Sequence, residues 1–328
     1  MKKYLLFFTI FTIFTILTLA LTACSPKPAT ENLKLKIVTP SGVPSLTIMR
    51  MIHENIQFDH AQTTYEISPN TDTLTAAVMT GAADIAIVPT NLAAILFNRE
   101  VDYRLVAAVN WGNLYVLSTD PSVRNWADIA GKNIHTFGRG LVPDATFSCL
   151  LAANGINADK DVNITYLSTP MEVAQMMISG MSRIAVLREP VVTQVLDNSP
   201  NARIILDLQK EWTAATKSGI AGYPQASLII RRELLDSHPD IMAKITDAIE
   251  ADSIWANLNP VQLGMYAEAH DETLNGGLIA ASLERLNIRF IRAGEAKAAI
   301  TGYLETLYRL SPDFTGGKIP DESFFHIP

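Results

Sequence analysis

Between residues 35 and 219, short β-prone runs alternate with stretches whose apolar residues recur at helical spacing. That alternation confines the chain to sheets whose strands are joined through helices. The run 35–39 is β-prone, Pro40-Ser41-Gly42-Val43-Pro44 turns the chain, and 45–54 carries Leu46, Met49 and Ile52 on one helical face. A second strand at 65–68 is followed by Pro69-Asn70-Thr71-Asp72, whose side chains suit the capping of a helix that runs on to Met79. A third strand, 84–88, leads through Pro89-Thr90-Asn91 into a helix at 92–97. A fourth, 103–109, ends at Trp111-Gly112-Asn113. Strands and helices in this order predict a mostly parallel sheet covered on both faces.

The pattern restarts after 114–118. Strands are expected at 133–137, 162–167 and 183–187, with the turn Gly138-Arg139-Gly140 and a helix over 143–154 after the first of them. A returning strand follows at 225–231, and from Ser237 onward the tail is mainly helical, with Ile241, Ile245 and Ile249 on one face. Residues 34–328 thus divide into two lobes, 34–117 plus 223–328 and 118–222, with a hinge at connections near Leu117 and Gly222.

The amino terminus constrains location. Lys2 and Lys3 precede an apolar run from Tyr4 that closes on Leu21-Thr22-Ala23-Cys24, the arrangement of an export signal ending in a lipobox. An uncleaved spanning helix is the alternative for a run of this length, but several threonines dilute it and Cys24 stands where a lipobox requires it. The expectation is a signal peptide at 1–23, a diacylated Cys24, a polar tether over 24–33, and a folded part held extracytoplasmically at a membrane by its lipid.

With the signal removed, 24 basic residues face 33 acidic ones. That balance argues against a nucleic-acid partner, which needs clustered Lys and Arg to neutralise phosphates. Of the two cysteines, lipidation of Cys24 leaves Cys149 alone in an apolar helical pattern, as a small buried hydrophobe rather than a nucleophile. The six histidines lack the i,i+4 pairing of a helical zinc site, and neither a Gly-x-Ser-x-Gly elbow nor a Walker loop occurs. Gly138-Arg139-Gly140 lacks the third glycine of a dinucleotide fingerprint, so no cofactor and no metal is expected.

In sheets of this kind ligands collect at the carboxyl ends of strands, where helix amides point inward. Those ends carry Ser41, Gly42, Val43 and Ser45, then Thr71, Thr90 and Asn91, then Trp111 and Asn113, then Arg139 and Gly140, and finally Arg188 and Glu189. Hydroxyls, amides and guanidiniums form a binding vocabulary more than a catalytic one. Each candidate has a plainer role open to it: Thr90 and Asn91 as helix caps, Trp111 as core, Ser41 and Ser45 as turn residues, Tyr223 as hinge packing. Arg139, flanked by two glycines, is the expected charge in the cleft, with a solvated surface arginine as its alternative. Asp144 at a helix start is read as a macrodipole partner. Glu189 is either half of a mutual or interlobe ion pair or the counter-charge of a cationic cargo.

Several segments together resemble a known family. They are the lipobox, Thr39-Pro40-Ser41-Gly42-Val43-Pro44, the run from Gly81 to Asn91, Leu187-Arg188-Glu189-Pro190 and the closing stretch from Thr315 to Phe325. Their order and spacing are similar to the substrate-binding lipoproteins of ABC importers, in the nitrate, sulfonate and taurine group. The resemblance implies a type II periplasmic-binding-protein fold, a monomer whose lobes close on a solute, and an ABC permease as partner. It leaves open a sulfonate, a nitrate-like anion, a taurine-like zwitterion or a nitrogen heterocycle as cargo. Two other readings stand beside it: an enzyme on the same fold, of thiamine-pyrimidine synthase or menaquinone-pathway dehydratase type, and a receptor feeding a membrane sensor or acting as an adhesive surface lipoprotein. The lipobox disfavours the enzyme, which would act in the cytoplasm.

Overall fold

The computed structural model describes residues 32–217 and 219–328. The expected signal peptide, the lipid-bearing Cys24 and the tether up to residue 31 lie outside the described residues, and Leu33 already belongs to the first strand. Among the described residues no helix is long and apolar enough to cross a membrane.

The chain first builds β1 (Leu33–Pro40), a 3-10 turn (Val43–Ile48) running into the short helix α1 (Met49–His53), then β2 (Ala61–Ser68), α2 (Thr71–Met79), β3 (Ile85–Pro89), α3 (Thr90–Asn98) and β4 (Tyr103–Trp111). It continues as β5 (Leu114–Ser118), β6 (Asn133–Phe137), α4 (Val142–Ala153), β7 (Asn163–Leu167), α5 (Pro170–Ile178), β8 (Ile184–Arg188), α6 (Val191–Asn198), β9 (Arg203–Asp207) and α7 (Leu208–Thr216). The return runs through β10 (Pro224–Arg231), α8 (Arg232–Ser237), α9 (Pro239–Leu258), α10 (Pro260–His270), α11 (Gly276–Leu286), β11 (Ile288–Arg292) and α12 (Ala293–Leu310).

Two sheets result, a six-stranded one in the order β11-β4-β10-β3-β1-β2 and a five-stranded one in the order β7-β6-β8-β5-β9. Helix-linked strands run parallel, as β1 does with β2 and β3, and β6 with β7 and β8. The strands next to the crossovers run antiparallel: β10 between β3 and β4, and β5 between β8 and β9. This is the type II periplasmic-binding-protein arrangement, two α/β lobes in one chain.

Period-two alternation explains how the first sheet is covered twice. Ile37, Ile85, Ile87 and Ile230 pack with Ile245 and Ile249 of α9 on one face, while Val38, Ala86, Val88 and Ile229 pack with Leu96 of α3 and Ile300 of α12 on the other. Each of the isoleucine, valine and leucine side chains contributes roughly 1.5–3 kcal/mol on full burial. The second lobe has its own core around Val116, Ile134, Val186, Leu150 and Val195, and Tyr303 and Leu307 of α12 join it from the first lobe.

The crossovers differ from expectation at one end. Leu117 lies inside β5, which is held on both sides by β8 and β9, so the outgoing connection is Gly112-Asn113 instead. Gly112 N donates to the Tyr223 carbonyl at 2.8 Å, tying the outgoing connection to the returning one. Gly112 must be glycine for a steric reason, since a Cβ there would fall within the Tyr223 ring.

Candidate functional site

Between the lobes opens a cleft of about 1270 Å³. From the first lobe Ser41, Gly42, Val43, Thr71 and Asn91 line it; from the second, Gly140, Thr169, Arg188 and Glu189; and from the hinge, Asn113 and Tyr223. Five helices begin on this cleft, α2 through α6, each contributing its first residues to the wall. Local sequence sets these starts: Asn70 Oδ1 accepts the Thr73 amide at 2.9 Å and Thr169 Oγ1 accepts the Glu172 amide at 3.2 Å. Helix starts leave amides without intrahelical partners and carry the positive end of the macrodipole, so their convergence favours negative charge in the cleft.

Arg188, the last residue of β8, is the main ionic group of the wall. It has no hydrogen-bond or ion-pair partner among the described residues, and its guanidinium lies over the Phe137 ring at 5.7 Å. One side of it opens to solvent through the cleft while protein crowds the others, and the lost solvation lowers its pKa. Beside it, Asn113 is 1 % exposed, with Oδ1 unpartnered. Gln194 and Gln225 also line the cleft with buried, unpartnered Oε1 atoms. Buried polar atoms in folded proteins are nearly always bonded, so these oxygens are free to accept from water or a bound molecule. Phe137, Leu141, Met171, Leu278 and Phe314 add apolar wall.

Glu189 faces the same cleft but is fully buried and already paired. Its partner is Arg285 of α11, in an ion pair across the lobes, and Thr193 donates to it from Oγ1 and N at 3.0 Å. Of the alternatives open from sequence, the mutual pair with Arg188 does not form and the interlobe pair does, with Arg285 as its cation.

Other expectations resolve individually. Arg139 is exposed and does not line the cleft. Gly138 and Gly140, at φ 69° and 72°, bend the turn so that Gly140 reaches the wall while the Arg139 guanidinium lies over Tyr166. Thr90 is buried and shares a 2.8 Å hydrogen bond with Ser227 of β10. Ser45 turns inward, donating to the Gly42 carbonyl at 2.8 Å. Trp111 is core: fully buried, it donates from Nε1 to the Arg289 carbonyl at 3.1 Å. Asp144 accepts from the Gly140 amide and the Tyr166 hydroxyl at 2.8 and 2.7 Å, fixing the turn before α4.

Ser41 lines the cleft, yet its hydroxyl donates to Asp271 Oδ2 at 2.6 Å. Burial pushes the Asp271 carboxyl up, but hydrogen bonds from Ser41, Thr273 and Gly42 outweigh it and hold the group below its ordinary value. Asn91 meets the Phe314 carbonyl at 3.4 Å and holds the C-terminal turn against the wall.

Sequence reasoning missed Gln194, Gln225, Phe137 and Phe314. Gln225 and Phe137 sit inside strand patterns and Gln194 inside a helix, where a wall residue looks like any other member of its element. Arg188 ends a strand that the sequence pattern locates, but the glycines around Arg139 make that residue the stronger candidate from sequence. Among the described residues no three metal-ligating side chains converge.

Two α/β lobes, paired crossovers and a polar cleft at the strand ends define the fold class, that of the type II periplasmic-binding-protein fold. The chain belongs to the NMT1/THI5-like family, whose model matches residues 63–262. No curated protein matches its sequence. Among solved structures it is similar to an ABC transporter protein from Parabacteroides distasonis, with 23 % identity and a TM-score of 0.74 over 90 % of this chain and 99 % of that one. The periplasmic aliphatic sulphonate binding protein SsuA of Escherichia coli gives 14 %, 0.67, 90 % and 96 % in the same order. The periplasmic nitrate-binding protein NrtA of Synechocystis PCC 6803 gives 12 %, 0.57, 87 % and 84 %. At these identities the likeness is one of fold.

Proposed function

We propose that this protein is an extracytoplasmic solute receptor, anchored through a lipid on Cys24, that captures a small organic anion between its lobes and delivers it to an ABC permease. The observation that carries the reading is Arg188, a guanidinium without a protein partner, set in a cleft on which five helix starts converge. A cleft of about 1270 Å³ with aromatic and aliphatic walls exceeds what a nitrate-sized ion fills, which favours a charged head on an organic body. The unpartnered oxygens of Asn113, Gln194 and Gln225 suit a cargo that also carries hydrogen-bond donors. Capture rather than turnover fits this inventory, and the family and neighbour names given above support a binding role. The ligand stabilises the closed form because it touches both lobes, Gly42 and Asn91 from one and Arg188 and Gly140 from the other.

The test uses ligand-stripped mature domain. Organic sulfonates and carboxylates, nitrate, taurine, amines and neutral heterocycles are screened by thermal shift, with calorimetry on those that act. A solute at 100 times its Kd stabilises the fold by about 2.7 kcal/mol. Organic anions should lead the panel, and Arg188→Ala should weaken them by about 1.5–3 kcal/mol, ten- to a hundredfold, the range for hydrogen bonds to charged groups. Arg139→Ala, outside the cleft, should leave affinity intact. A panel led by amines, or an Arg188→Ala domain that binds as the parent does, refutes the reading.

A further inference from the structure

The end of β8 and the residue after it bring two ionic side chains of opposite sign to the same wall, Arg188 and Glu189. Left to themselves they would nearly cancel, and the cleft would attract neither anions nor cations. The first lobe prevents this. Arg285 Nε pairs with Glu189 Oε1, its Nη2 donates to Thr193 Oγ1 at 2.7 Å, and Thr193 in turn donates to both carboxylate oxygens at 3.0 Å. Both oxygens of Glu189 are thus committed within the protein. Arg285 is not part of the cleft wall, and the Tyr115 hydroxyl, donating to its carbonyl at 3.1 Å, helps hold its backbone in place. The remaining ionic wall residues, Asp72 and Asp313, are solvent-exposed, where water screens them. Arg188, itself open to the cleft on one side, is left as the one cation of the wall, without a protein partner among the described residues.

We propose that Arg285, a residue the ligand does not touch, determines the charge specificity of the cleft by neutralising Glu189 from the opposite lobe. This rests on the anion-receptor reading above. It makes selectivity a property of a contact between lobes: moving Arg285 away from Glu189 exposes a carboxylate next to Arg188 and changes what the cleft prefers.

Butanesulfonate and butylammonium, alike in chain and opposite in charge, serve as probes, titrated by calorimetry into the mature wild type and into Glu189→Gln, Arg285→Lys and Arg285→Met. Wild type should prefer butanesulfonate. Glu189→Gln keeps the shape, removes the negative charge and frees Arg285, so it should bind butanesulfonate several-fold more tightly. Arg285→Lys should keep the wild-type preference. Arg285→Met should weaken butanesulfonate by roughly ten- to a hundredfold, as one uncompensated charge several ångström away does at an effective dielectric near 20, with butylammonium gaining. Arg285→Met leaves a buried carboxylate unpaired, and if it fails to fold, Glu189→Gln decides alone. Butanesulfonate binding that weakens or stays level in Glu189→Gln overturns the assignment. A wild type that prefers butylammonium, or takes up neither probe, overturns the anion reading instead.

Discussion

Asp252 on α9 offers a worked test of burial electrostatics in the first lobe. Its side chain is fully buried, Arg50 Nε donates to Oδ1 at 2.7 Å, and the Met51 amide donates to Oδ2 at 3.3 Å. Burial is the stronger influence and pushes the carboxyl from 3.8 up to about 6, against the opposing effects of the Met51 amide and Arg50. Between those two values the folded state holds a proton that the unfolded chain has released. Folding stability therefore falls as pH rises through the window from about 4 to about 6 and is level above it. Roughly two pH units at 1.36 kcal/mol each give a loss of about 3 kcal/mol by pH 7. Asp252→Asn retains an acceptor and cannot titrate, so its stability relative to wild type should improve by about that amount between pH 4 and pH 7. Urea midpoints of the two proteins, measured side by side at pH 4, 5, 6 and 7, supply the comparison, with other titrations cancelling in the difference. If wild type instead gains on the variant as pH rises, Arg50 dominates, the carboxyl is depressed, and the argument from burial is wrong.

Two further perturbations separate structural from ligand-touching roles. Gly112→Ala places a methyl within the Tyr223 ring, so overpacking should cost about 1–3 kcal/mol in thermal or urea unfolding and spread the lobes in solution scattering; an unchanged radius and midpoint would remove Gly112 from the hinge. Ser41→Ala deprives buried Asp271 of a 2.6 Å hydrogen bond and should lower stability by about 1–3 kcal/mol, with organic-anion affinity falling less than in Arg188→Ala. Equal affinity losses would assign Ser41 to ligand contact.

What the sequence disclosed, and what it hid, follows from the range of each physical signal. Alternation and turn chemistry are local, so 133–137 and the Asn70 cap match the observed β6 and α2 start. Strand β9 was not separated from the helical patterns around it, and β11, only five residues long, lies between two long helices where the apolar count reads as continuous helix. At the cleft the sequence located the wall segments but not the side chains that face inward. Gly138-Arg139-Gly140 is a wall turn, and its two positive-φ glycines bring the backbone rather than the arginine to the cleft. Thr90 and Trp111 stand at strand ends as expected, but Ser227 and Arg289, each over a hundred residues away, draw them inward. Pairings of that separation leave no periodic trace in a single chain.

The same long-range contacts bear on how the lobes move. Trp212 of α7, Tyr223 of the returning crossover and Tyr303 of α12 pack at centroid separations of 5.4 to 5.6 Å, and all three are buried. They span the two lobes beside Gly112 and Asn113, whose carbonyls accept from Asn287 at 2.7 Å and from the Glu189 amide at 3.1 Å. Opening the lobes by exposing this cluster would uncover three aromatic side chains, at roughly 1.5–3 kcal/mol each. Rotation about it leaves the cluster intact and concentrates displacement at the cleft rim, around Leu141, Met171 and Phe314. The Glu189–Arg285 pair is bonded through the Glu189 amide to the Asn113 connection, beside that cluster. If the lobes close as proposed, a pair placed there is displaced less than the rim, so that Arg285 would neutralise Glu189, and Arg188 offer its charge to a solute, before closure as well as after.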